Sequence, residues 1–228
     1  NAVSDIISMF FKKFDSIGWS RKKALENGIS QRCQLEQWDC KGAESREVGT
    51  YLHEQIHKYL VRENPDFTYH FLYNGEEVHV DKMVDITTEY SYFKKFLNEE
   101  NVVPFRTEWQ IFDPVLRIAG TIDFLGRNGN EFDLYDWKRS DKIDKYATVW
   151  NYGINGLESI PDTRYYHYCL QLNMYKYILE KNYDIAINKM YLVVLHPTYN
   201  TYQKIEVPSM DNAIHNILKY YKTKLQND

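Results

Sequence analysis

The stretch from Arg106 to Lys138 constrains this chain more than any other. Arg106–Phe112, Leu116–Arg127 and Glu131–Lys138 read as three successive strands, rich in β-branched and aromatic residues. Asn128-Gly129, between the last two, signals a hairpin turn because both residues tolerate positive φ. Such strands need an apolar cover, and helical periodicity supplies it on both sides in the sequence. Ser4–Phe14 has helical spacing of apolar residues, and Glu44–Arg62 carries Val48, Leu52, Ile56, Tyr59 and Leu60 as one stripe. Phe67–Val84 alternates around Asn74-Gly75 as a hairpin, and Thr87–Asn98 is a helix that Thr87 or Thr88 would cap. Downstream, Arg164–Lys181 is a helix apolar on most sides. Ala186–Leu195 and Thr201–Val207 are strands, and a final helix capped by Ser209 runs to Leu225. The order implies an α/β sandwich with a central sheet flanked by helices.

With 228 residues and no repeat or Pro/Gly/Ser linker, the chain is expected to be one domain, with its core over about 44–225 and a helical elaboration over 1–43. A chain of this size needs no disulfide or structural metal to hold a core. Cys33, Cys40 and Cys169 lack zinc-type spacing and leave an odd thiol, which points to a reducing, cytoplasmic-type compartment. No apolar run approaches the ~20 residues that span a bilayer, so no membrane partner is expected. The opening Asn1-Ala2, without Met, reads as a tag-cleavage scar before Val3 or as the cut end of an excised domain. A net charge of −4 argues against broad coating of nucleic acid. Local contacts remain available from Arg21-Lys22-Lys23 and from Lys138, Arg139, Lys142 and Lys145. The 20 tyrosines are expected mainly as core and rim residues, although such rings also stack on bases.

The chemistry centres on the second hairpin. Gly120-Thr-Ile-Asp123 lies on one strand and Asp136-Trp-Lys138 ends the next. Adjacent antiparallel strands bring Asp123 and Asp136 close enough to share a divalent cation, and hard oxygen ligands suit Mg²⁺ or Mn²⁺. Two residues apart on a strand, Asp136 and Lys138 project to one face. The lysine can then orient or deprotonate a water, or counter phosphate charge. Burial and a metal would lower its pKa and the carboxylates would raise it. A second Asp-x-Lys, Asp39-Cys40-Lys41, has no strand pattern and no acidic partner upstream. His53, in Gly49-Thr-Tyr-Leu-His53, falls roughly 90° from the centre of its helix's apolar stripe, at the rim of the buried face. Gln171 and Tyr175 lie one turn apart on the buried helix, where polar tips need partners.

This ordered set is Gly-Thr-x-x-His53, Glu108, Gly-x-x-Asp123, Asp136-x-Lys138 and Gln171-x-x-x-Tyr175. It resembles the RecB-like branch of the PD-(D/E)XK nuclease superfamily, over about Glu44 to Lys181. The resemblance implies a restriction-endonuclease-like sandwich with a mixed sheet, forming a single nuclease domain. It implies that His53, Asp123 and Asp136 ligate one or two Mg²⁺ or Mn²⁺ ions, with the Trp137 carbonyl as a fourth ligand. Glu108 would ligate a second metal or bind through water. Lys138 would be the catalytic lysine, with Gln171 and Tyr175 supporting substrate and site. Asp136 stands where many relatives carry Glu. Iron–sulfur relatives carry a cysteine cluster after the core; no cysteine follows Cys169 here, so no such cluster is expected. The implied activity is hydrolysis of DNA, single-stranded or with ends, by a metal-activated water, leaving 5′-phosphates. RNA or duplex-DNA endonuclease activity, a fused or associated helicase, and a role in repair or recombination fit the same resemblance.

Two other readings stand beside it. His53-Glu54-Gln55-Ile56-His57 spells the H-E-x-x-H of zinc proteases, in which two histidines one turn apart bind Zn²⁺ and the Glu activates water. Against it, the metzincin extension is missing after Leu60, His57 is expected nearer to solvent than His53, and the hairpin is left unexplained. The other is a nuclease-like domain that binds nucleic acid without cutting it, which a lost ligand would mark.

Overall fold

A computed structural model of the chain describes residues 1–145 and 151–227. In chain order its helices and strands are α1 (Val3–Ser8), α2 (Ser16–Asn27), α3 (Gln31–Leu60), β1 (Thr68–Asn74), β2 (His79–Asp85), α4 (Thr87–Glu100), β3 (Val103–Asp113), β4 (Ile118–Asn128), β5 (Glu131–Lys138), α5 (Arg164–Asn182), β6 (Ile187–Val194), β7 (Gln203–Glu206) and α6 (Asp211–Asn227). The chain divides into two compact units. One comprises residues 1–12 and 96–228, the other residues 13–95. Among the described residues, no helix is long and apolar enough to cross a membrane.

The first unit is built on a mixed five-stranded sheet in the order β3-β4-β5-β6-β7. All neighbours are antiparallel except β5 and β6, which the α5 crossover makes parallel. Helices α1, α5 and α6 pack with sheet residues Ile118, Ile122, Leu125, Leu134 and Leu192 into one apolar core. A second, aromatic cluster joins Phe96, Phe124, Tyr135 and Trp137, with ring centroids 5.3 to 5.5 Å apart. Burying each phenylalanine contributes roughly 1.5–3 kcal/mol. Leu134 belongs to one cluster and Tyr135 and Trp137 to the other, as the two-residue period of a strand requires. Hence β5 is buried along nearly its whole length, its two aspartates included.

The second unit holds α2, α3, the β1–β2 hairpin and the start of α4. Val48, Leu52, Ile56, Phe71, Ile86 and Phe93 are among its buried apolar residues. Helix α3 begins well before the expected Glu44. Ser30 caps it by accepting the Cys33 N–H at 2.9 Å, and its first turns bury little apolar surface to announce them. Helix α1 stops at Ser8 rather than reaching Phe14, and Asp15 accepts the Gly18 N–H to start α2. Two expected caps are replaced. Asp85, not a threonine, accepts the Thr87 N–H at 2.7 Å, and Ser209 donates to the Asp211 carboxylate ahead of α6.

Candidate active site

In the first unit, strands β4 and β5 pair from the turn only as far as Phe124 opposite Tyr135. The turn is two residues long, with Gly129 at φ +61° in its first position. Beyond Phe124 and Tyr135 the ladder stops, while β4 continues beside β3 and β5 beside β6. The strands therefore part, and the first residues past the last pair are Asp123 and Asp136. At this fork the Trp137 N–H donates to Asp123 Oδ2 at 2.9 Å, so a side chain replaces a backbone acceptor. On the far side of β4 from β3, Ala2 bridges Ala119, and the Asn1 carbonyl accepts the Ala119 N–H at 2.9 Å.

Asp136 is buried, and its Oδ2 forms an ion pair with Lys138 Nζ at 2.6 Å. The Lys138 side chain is 16% exposed. Burial works against its charge, but the charges of Asp136 and Asp123 and the Asp136 hydrogen bond outweigh it, holding the ammonium above the ordinary lysine range. The Trp137 backbone, the expected fourth ligand, lies in the β5–β6 ladder opposite Val193.

Across the fork Glu108 sits on β3 between Thr107 and Trp109, whose partners Phe124 and Ile122 flank Asp123. An oxygen of Glu108 and one of Asp123 lie within 4.8 Å of each other, near enough to share an ion. Glu108 adopts φ +46°, the left-handed region, inside a strand. That conformation costs about 1–2 kcal/mol for a residue with a Cβ. Two carboxylates at this separation, with buried Asp136 beyond the last rung, offer hard oxygen donors that could hold a metal ion.

Helix α5 supplies the remaining polar groups. Gln171 Nε2 donates to the Tyr175 hydroxyl at 2.7 Å. Burial, with the charges of Asp136 and Asp123, pushes the Tyr175 phenol up to about 12, against the opposing influence of Gln171 and Lys138. Gly120 is required here: a Cβ on it would stand 2.3 Å from Tyr175 Cε1. Tyr168, one turn before Gln171, was not singled out by sequence; the Lys138 ammonium lies 4.4 Å from its ring centroid. Its signal was the Tyr-x-x-Gln-x-x-x-Tyr spacing, which sets residues 168, 171 and 175 on one helical face.

His53 belongs to the second unit, half-buried on α3. In the H-E-x-x-H stretch, Glu54 is exposed and pairs with Lys58 at 2.9 Å. His57 is half-buried, as His53 is. Among the described residues, no group of three potential His, Cys, Asp or Glu ligands includes His57. The second Asp-x-Lys, Asp39–Lys41, is helical, and Arg21-Lys22-Lys23 is an exposed part of α2.

No protein-family model matches the chain. No curated protein matches it either. Among solved structures, the crystal structure of SSO0001 is 18% identical to it, with a TM-score of 0.34 over 61% of this chain. The chain spans 57% of the length of that structure. A likeness at this level carries no argument about chemistry.

Proposed function

We propose that this chain is a metal-dependent nuclease of the PD-(D/E)XK superfamily, with a restriction-endonuclease-like sheet, hydrolysing DNA that is single-stranded or has free ends. The observation that carries the reading is the fork: Asp123 and Asp136 lie just past the last β4–β5 pair, with Lys138 held on Asp136 at 2.6 Å. Asp123, Asp136 and Glu108 would hold Mg²⁺ or Mn²⁺ through hard oxygens, and the Gly-Thr-x-x-His motif adds His53 as a ligand on sequence grounds. When bound, the ion supplies Lewis-acid polarisation of a phosphoryl oxygen and acidifies a water. Lys138 brings an ammonium that donates to a phosphate oxygen and offsets its charge. Gln171 orients the Tyr175 hydroxyl, and the raised phenol stays protonated as a donor. The Asp123 carboxylate keeps β5 in place through the Trp137 N–H, which aligns Asp136 and Lys138.

The test is cleavage of labelled single- and double-stranded DNA and RNA in Mg²⁺, Mn²⁺, Zn²⁺ or EDTA, with wild type and Lys138→Ala side by side. Metal-dependent cutting of DNA, lost in Lys138→Ala while the circular dichroism spectrum is kept, is the expected outcome. Asp136→Ala should behave alike. Equal cutting by wild type and both variants would overturn the site. Cutting of RNA alone would move the substrate class, and Zn²⁺-dependent digestion of casein without nuclease activity would move the reaction.

A further inference from the structure

We propose that Tyr168 is a positioning residue that holds the Lys138 ammonium over its ring and so sets where that charge meets the scissile phosphate. The kinetic consequence rests on the nuclease reading above; the structural consequence does not.

A lysine reaches its target on a flexible four-carbon stem, so a useful ammonium needs partners that restrict it. Lys138 has two described partners. Asp136 Oδ2 lies 2.6 Å from Nζ, and the Tyr168 ring centroid lies 4.4 Å away, inside the ~6 Å over which a ring face attracts a cation. The two respond differently to a divalent ion. A carboxylate that ligates the ion has less charge to offer Lys138, and the ion itself repels the ammonium. The ring ligates no hard cation and goes on attracting Lys138 through its quadrupole. With Lys138 only 16% exposed, water competes weakly for that attraction. Tyr168 also shares a rigid frame with the rest of the site. It precedes Gln171 by three residues and Tyr175 by seven on α5, and those two are joined at 2.7 Å. One helical face thus presents a ring for the ammonium, then an amide, then a phenol. The competing use of an aromatic ring at a nuclease site is to stack on a base. That use needs a free ring face, and Lys138 takes up one of the two.

Two measurements decide it. In protein carrying ¹³C-lysine, the Lys138 ε-methylene protons, identified by their absence in Lys138→Arg, should resonate upfield of the other lysines because they lie over a ring face. The displacement should survive saturation with Mg²⁺, persist in Tyr168→Phe and vanish in Tyr168→Leu. Its absence from wild type, its loss on adding Mg²⁺, or its persistence in Tyr168→Leu overturns the proposal, whether or not any nucleic acid is cut. Kinetically, Tyr168→Leu should lower kcat on the order of 10²-fold with KM unchanged, and Tyr168→Phe should recover the rate. A rise in KM with kcat intact would overturn positioning in favour of base stacking. A wild type that cleaves nothing defeats the nuclease reading instead and leaves the resonance test standing.

Discussion

Glu108 holds a backbone conformation that favours glycine, at φ +46° in a strand whose neighbours on both sides are paired. The surrounding ladder imposes it, and the carboxylate so turned approaches that of Asp123. Glu108→Gly should therefore stabilise the protein in EDTA by up to about 1 kcal/mol, since relief of the left-handed strain exceeds the added chain entropy. The same change should weaken any stabilisation by Mn²⁺. Urea denaturation with and without the metal measures both, and a less stable variant in EDTA would refute the strain. None of this is legible in the letters around Glu108, which read as an ordinary strand. Asp123, Asp136 and Lys138 were legible because a two-residue strand period and a hairpin turn suffice to bring them together. The spacing of Tyr168 to Gln171 and Tyr175 sets it on their helical face, but nothing in that spacing brings Lys138 to its ring. Gly120, by contrast, was read as a motif letter, and its physical reason is the Tyr175 ring packed against it.

At the scale of elements, β5 was read to the residue, Glu131–Lys138, because the turn fixes one end and both faces are buried. Helix α3 was read only over its second half. Its first turns bury Gln34 and Cys40 and otherwise lean on capping, and Gly42 inside it looks like an interruption. What those turns do is hold the β1–β2 hairpin. The Glu36 carboxylate accepts the N–H groups of Glu76, Glu77 and Val78 at 2.8 to 3.1 Å, closing the turn between the strands. The Glu77 N–H above all, followed by those of Glu76 and Val78, holds the Glu36 carboxyl below the ordinary glutamate range, against a smaller opposing effect of burial. A depressed carboxylate stabilises the fold above its unfolded pKa, and that stabilisation is lost as pH falls through the folded value. Unfolding of wild type should thus become easier on acidification through and below the usual glutamate range. Glu36→Gln should flatten that part of the profile. A variant with an unchanged profile would mean the hairpin does not depend on this charge.

For the whole molecule, the succession of elements from β3 onward and the helical cover of the sheet followed from the pattern of periods. The division into residues 1–12 with 96–228 and residues 13–95 did not, since no linker composition marks either junction. Helix α4 runs unbroken across the second junction, and an amphipathic helix reads the same whether or not a boundary crosses it. A net charge of −4 leaves the proposed activity to local cations and a bound metal. Metal should accordingly register in the stability of the entire chain. Mg²⁺ or Mn²⁺ at about 100 times Kd should raise the unfolding free energy by about 2.7 kcal/mol. Asp136→Asn should lose most of that increment. Thermal melts in EDTA and in metal provide the measurement, and a wild type indifferent to both ions would remove the metal from the site.

The parting of β4 and β5 has a consequence for how the protein can be disabled. Asp123 Oδ2 stands in for a backbone rung, so one of its two oxygens belongs to the seam of the sheet. Alanine there would strip the Trp137 N–H of its acceptor and loosen the strand bearing Asp136 and Lys138. Asparagine keeps a carbonyl for that N–H while discarding the charge. An inactive alanine variant at Asp123 would report on architecture and chemistry together, whereas the asparagine variant separates them.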